Sequence, residues 1–327
     1  MDAKLGVVIG TGLHKQHLKP NAENPLADWG ALLKQTAIAL GVTVKHALVD
    51  HQRFAVAWEE LILKLAESQL KRSDSPHLLK SAAEIEQQAI DKALSVLARH
   101  AWDYPRSSRV CSALRSQHVG DIFSLNFDTA WVAPDQLKSD AANAKQKSNL
   151  KWFKEVTNGP RIWFPNGHLG SRERINLGLR KFGLQPGELE QARRSFKQWD
   201  VKNNPSSEER LSEQGYLKLM AQLPLETDEP ACHWVTHFML RPLLILGVGL
   251  SAEEQGLWWI LGQRARNLTK VRNKPPVRIL LNMAIMERTE RHFWAAEPLG
   301  IRPLWCTDWT EGWEHACDLI ERGDLSS

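Results

Sequence analysis

Leu243 to Leu246 is a wholly apolar run that ends at Gly247 and Gly249, with Leu250, Ser251, Glu253 and Glu254 close behind. A strand with no polar side has to be covered on both faces, as a central strand of a parallel sheet is. The glycines mark a turn, Ser251 is placed to cap a helix, and the two glutamates suit the positive end of that helix. The chain opens in the same way: LGVVIG (5 to 10) runs into Gly10, Thr11 and Gly12. Near the end, VRILLN (277 to 282) and IRPLWC (301 to 306) read as two more strands, separated by a helical MERTERHFWAAEP and followed by a helical WTEGWEHACDLIER. Alternation of strands and helices on this scale predicts an α/β fold built on a doubly wound parallel sheet.

Between these ends the periodicity is mostly helical. In NPLADWGALLKQTAIALG, Asp28 is placed as an N-cap, Leu32, Leu33, Thr36, Ala37 and Leu40 share a face, and Gly41 is the stop. Residues 54 to 71 and 82 to 99 are amphipathic; in the second, Ile85, Ala89, Ala93, Val96 and Leu97 form a stripe. SDSP at 73 to 76 links them, and a short helix is expected near Ser108 to Ser116. From Lys138 to Leu150 the chain is polar, with little to bury. Residues 172 to 222 are charged and largely helical, with Ser206 or Ser207 as an ambiguous cap. The expected division is a core of residues 1–137 and 231–327, to which 160–171 adds a strand, with an inserted linker at 138–159 and an inserted helical subdomain at 172–230.

Two polar stretches each follow an apolar run: DIFSLNFDTA, with Asn126 and Asp128, and RIWFPNGHLG, with His168. Ligands of open α/β sheets sit outside the carboxyl ends of the strands, so these three residues at two strand ends can face one pocket. The same residue types also serve as turn formers, caps and core fillers.

Composition limits the alternatives. No apolar run approaches the ~20 residues that span a bilayer, and MDAKLGVVIG has no basic region before its apolar stretch, so a cytoplasmic protein is expected. Cys111, Cys232, Cys306 and Cys317 include no CxxC pair, which points to buried thiols and to no structural metal. The chain carries 42 basic and 38 acidic residues, unevenly spread: ten Lys or Arg against three acids from Lys138 to Lys181, and six with no acid from Arg264 to Arg278. Such patches suit phosphates, of a dinucleotide or a nucleic acid, and equally a solvated surface.

Taken in order, the glycine turn, NPLADWGALL, LNFD, NGH and LILGVGLS resemble the sirtuin-like NAD-binding family in its bacterial branch. The resemblance covers nearly the whole chain, although each motif is short. It implies a Rossmann-like sheet with a smaller inserted module and NAD+ lying across the strand ends as substrate. Gly10, Thr11 and Gly12 would lie against the diphosphate, Asn126 and Asp128 in the nicotinamide-ribose pocket, and Gly247, Gly249, Leu250 and Ser251 on the adenosine side. His168 would be the catalytic histidine. Family members often carry Ala between the two glycines and Ser two positions beyond, where this chain has Thr11 and His14. The two CxxC pairs of protein-deacylating sirtuins are absent, so the implied activity is the NAD+ hydrolysis of bacterial relatives, many of which act in anti-phage defence. Such an effector would be gated by homo-oligomerisation or by an activating partner protein, a nucleic-acid-associated one being one option. A non-catalytic NAD or ADP-ribose sensor, a nucleic-acid-associated subunit of a larger complex and an unusual deacylase are the alternatives.

Overall fold

The computed structural model describes residues 4–17, 24–44, 54–72, 81–100, 106–138, 149–169, 175, 177, 186–206, 212–223, 231–250 and 254–325. In chain order the elements are β1 (Leu5–Ile9), α1 (Gly12–His17), α2 (Trp29–Leu40), α3 (Phe54–Arg72), α4 (Ala82–His100), α5 (Arg109–Leu114), β2 (Val119–Ser124), β3 (Phe153–Glu155) and β4 (Arg161–Trp163). There follow α6 (Pro186–Asn203), α7 (Glu213–Ala221), α8 (Trp234–Leu240), β5 (Leu243–Leu246), α9 (Gln255–Asn267), β6 (Val277–Asn282), α10 (Arg288–Ala295), β7 (Ile301–Cys306) and α11 (Trp309–Arg322).

The strands form one seven-stranded sheet in the order β3-β4-β2-β1-β5-β6-β7. Every pairing is parallel except that of β3 with β4. The architecture is therefore the expected Rossmann-like α/β fold. From β1 the chain first builds outward through β2 and β4, then returns to place β5 on the other side of β1. That reversal makes the carboxyl ends of β1 and β5 the switch point, where neighbouring connections leave on opposite faces and open a crevice.

Alternate strand residues feed two apolar layers. Val7, Ile9, Leu244 and Leu246 pack with α2, α3, α4, α5 and α11, while Val8, Leu243, Ile245 and Ile279 pack with helices α6 to α10. Burial on both faces accounts for the unbroken apolar run of β5. The helices expected as an insertion contribute Leu189, Phe196, Tyr216 and Leu219 to the second layer. Among the described residues no helix is long and apolar enough to cross a membrane.

Local signals account for most boundaries. The Asp28 carboxylate accepts from the Gly30 and Ala31 N–H groups at 2.6 and 3.1 Å, and Gly41 closes α2 at φ 68°. Ser108 caps α5. Ser212 caps α7, its Oγ accepting from the Gly215 N–H; the turn at Glu209 that Ser206 or Ser207 is expected to cap lies outside the described residues. In the β5 turn the helix starts later than expected, at Gln255 with Glu254 in the cap position and no acid in the first turn. Ser251 and Glu253 lie outside the described residues.

Candidate functional site

A cleft of about 1010 Å³ opens at the switch point. Its floor includes Gly10, Thr11 and Gly12 after β1, Asn126 after β2, and Gly247, Gly249 and Leu250 after β5. Of the ten residues proposed from sequence, these seven come together in one place. Ser251 is outside the described residues, and Asp128 and His168 are not among the described residues that line the cleft.

The glycines serve one another before any ligand. A Cβ on Gly12 would stand 2.4 Å from the Gly247 Cα, and one on Gly247 would stand 2.7 Å from the Gly12 Cα. The Gly12 N–H donates to the Gly247 carbonyl at 3.0 Å and the Gly10 N–H to that of Leu246 at 3.1 Å. The two turns thus interlock. Backbone donors expected to face a diphosphate are in part spent on this contact, which reduces what the first turn offers an anion. Gly249 differs: a Cβ there meets no described residue within 4 Å. Beside it Leu250 stands at φ 46° with its carbonyl held by the Trp258 indole N–H at 3.2 Å, a left-handed conformation that a branched side chain rarely adopts outside functional turns.

Asn126 is 3% exposed. Its Nδ2 donates to the Gly10 carbonyl at 3.1 Å, while its buried Oδ1 has no hydrogen-bond partner among the described residues. A carbonyl oxygen cannot donate, so the Gly10 contact fixes which end of the amide is which. An orphaned buried acceptor at a cleft floor is costly unless a donor arrives from outside.

Asp128 lies behind this floor. One carboxylate oxygen accepts from His14 Nε2 at 3.1 Å and the other from the Ala130 N–H at 2.8 Å. Burial works to raise its pKa, but His14 and these hydrogen bonds outweigh burial and hold the carboxyl below its ordinary range, with a smaller contribution from His168. His168 packs against Trp152 and Phe164, ring centroids 5.0 and 4.5 Å away. Burial lowers its pKa to about 3, Lys154 adds to the effect and Asp128 opposes it. His168 is therefore neutral near pH 7 and a weak proton acceptor where it stands, which departs from the near-neutral base read from sequence.

Several cleft residues carried no sequence signal of function. Lys15, Lys34, Glu254, Glu290, Asn282 and Trp309 are among them. Trp29 joins the site from the first turn of α2, stacked on Phe127 at 5.4 Å. His14 was visible only as an unusual residue beyond the glycine turn; its carboxylate partner is 114 positions away. No protein-family model matches this chain, and no curated protein matches it.

Proposed function

We propose that the cleft binds NAD+ and that the protein hydrolyses its nicotinamide–ribose bond, giving nicotinamide and ADP-ribose. The observation that carries this reading is the unpartnered Oδ1 of Asn126 at the floor of a switch-point cleft. The oxygen is buried and has no donor among the described residues, so a ribose hydroxyl or a water molecule that reaches it through the cleft floor would supply the missing hydrogen bond. The cleft is long enough in residues to serve a dinucleotide, running from Asn126 across both glycine turns to Asn282 and Trp309. Lys15 and Lys34 supply positive charge for the diphosphate in place of the backbone donors already used.

Chemically the step asks little of an acid, because nicotinamide leaves as a neutral molecule when the C1′–N bond breaks. Water then adds its oxygen at C1′ and releases one proton. What the site has to provide is a ribose held in place, a positioned water and an environment tolerant of developing positive charge at C1′. Asn126 is the positioning group for the hydroxyl or the water. The ionised Asp128 favours the positive charge from behind the floor, across a low-dielectric interior. His168 accepts a proton only in a state that opens it to the cleft. The resemblance to bacterial NAD+-hydrolysing proteins adds the proposal of a gated defence effector, released by self-assembly or by a partner protein.

The test is nicotinamide release from NAD+ by the purified chain beside Asn126→Ala. The expected result is release by the wild type and a loss of about a hundredfold or more in the variant, the scale of removing one preorganised polar contact to a reacting group. Equal rates in both would overturn the assignment. The buried, neutral state of His168 favours one second reading, a non-catalytic NAD or ADP-ribose sensor. Tight binding with no release at any protein concentration would support it.

A further inference from the structure

The loop that carries Asn126 is tied to the first glycine turn at two points. Asn126 Nδ2 donates to the Gly10 carbonyl at 3.1 Å, and two residues further on Asp128 accepts from His14 Nε2 at 3.1 Å. The four residues come from two short segments, 10–14 and 126–128. The β1–β2 ladder already joins the bases of the two segments, with the Leu125 N–H donating to the Ile9 carbonyl at 2.9 Å, and these two bonds extend the connection to the Asn126 side chain and beyond it. The second tie is fully internal, with His14 at 0% and Asp128 at 3% exposure. Its polarity is set as well: an ionised carboxylate only accepts, so His14 Nε2 carries the hydrogen. The remaining Asp128 oxygen is held by the Ala130 N–H at 2.8 Å, so the carboxylate cannot rotate to follow a displaced histidine without giving up that bond.

We infer that His14 is a positioning residue: through Asp128 it holds the Asn126 carboxamide at the cleft floor in the one orientation that leaves its buried oxygen without a partner among the described residues. The inference deepens the NAD+ reading and rests on it for its kinetic arm. His14 does not line the cleft among the described residues, so its effect is on the geometry of Asn126 and not on contact with substrate. A floor group displaced by about 1 Å lowers turnover by up to about a hundredfold with less effect on binding of the rest of a large ligand.

The experiment compares His14→Gln with His14→Asn. A glutamine places an amide N–H near the position of Nε2; an asparagine has the same chemistry and falls short of Asp128. For nicotinamide release from NAD+, the expected result is kcat within about threefold of wild type for H14Q and reduced ten- to a hundredfold for H14N, with KM in both within about threefold. Equal kcat in the two variants, or a loss in H14N that appears wholly in KM, would overturn the inference. Thermal melting of both proteins excludes simple unfolding, since a structural defect would not be repaired by the longer amide alone. Should the wild type release no nicotinamide, the hydrolase reading fails by itself. The positioning inference is then judged on the Asn126 side-chain amide signals in nitrogen-15 spectra, which H14N should shift and H14Q should leave near their wild-type positions; unchanged signals in H14N would refute it.

Discussion

His168 sits where the sequence placed it, just after β4, yet its surroundings change what it can do. With Trp152 and Phe164 around the ring and burial lowering its pKa to about 3, the imidazole stays neutral through the physiological range. A pH–rate profile reports the ionisation of the essential groups of the free enzyme, so a working base of ordinary basicity would show as an acid limb near pH 6.5. From the geometry, kcat/KM for NAD+ cleavage is expected to stay flat from pH 6 to 8 and to change by less than about twofold between wild type and His168→Gln over that range. An acid limb near 6.5 that disappears in H168Q would show instead that the working state opens His168 to solvent. The contrast with Asn126 is instructive: both are buried polar residues after strand ends, but only Asn126 is on the cleft floor with an acceptor that has no partner among the described residues.

At the scale of elements, the cleft depends on two turns packed through their glycines. Gly247 has φ 62°, and a Cβ on it would meet Gly12 Cα, Gly12 C and Leu13 N at 2.7 to 2.8 Å, all backbone atoms. Neither the conformation nor the contact can relax through a side chain, so Gly247→Ala is expected to destabilise the fold by about 2–4 kcal/mol, measured by urea denaturation. Gly249→Ala, with no described residue within 4 Å of the added Cβ, is the matched control and should fall within about 1 kcal/mol of wild type. Such elements were the most legible part of the sequence. The ranges of β6, β7 and α11, and the cap at Asp28, follow from apolar runs and short-range polar signals that act within one turn. The glycine turns were expected to leave room for a dinucleotide diphosphate; in the structure Gly10, Gly12 and Gly247 pack on one another, an approach between two loops that no local pattern specifies. The His14–Asp128 pair and the positive φ of Leu250 were illegible for the same reason: each is fixed by tertiary contacts that leave no local pattern.

Across the whole molecule, the buried ionisable groups make folding sensitive to acid. His168 and His233 are both lowered to about 3, chiefly by burial, so below the unfolded-state value of about 6.5 the unfolded chain binds two protons that the folded chain does not. Stability is therefore complete above about pH 6.5 and falls as pH drops, by roughly 1.4 kcal/mol per pH unit for each histidine. Asp121 works in the same direction at lower pH. Burial alone would raise it, but His237 of α8, Arg241 just after it and the Trp163 indole of β4 contact it and depress it well below the usual carboxylate range. Its contribution, like that of Asp128, is present above about pH 4 and lost below. The exposed cluster of Arg109 with Glu314, Asp318 and Glu321 is screened by water and adds little. Urea unfolding should thus give a free energy roughly 4 kcal/mol lower at pH 5 than at pH 8, a large share of what holds a domain of ordinary stability. Because the carboxylates do not titrate in that window, His168→Phe should roughly halve the difference while keeping the aromatic packing against Trp152 and Phe164. An unchanged pH dependence in that variant would mean that His168 is not held neutral in the folded chain, and the buried setting that separates it from the cleft would have to be redrawn.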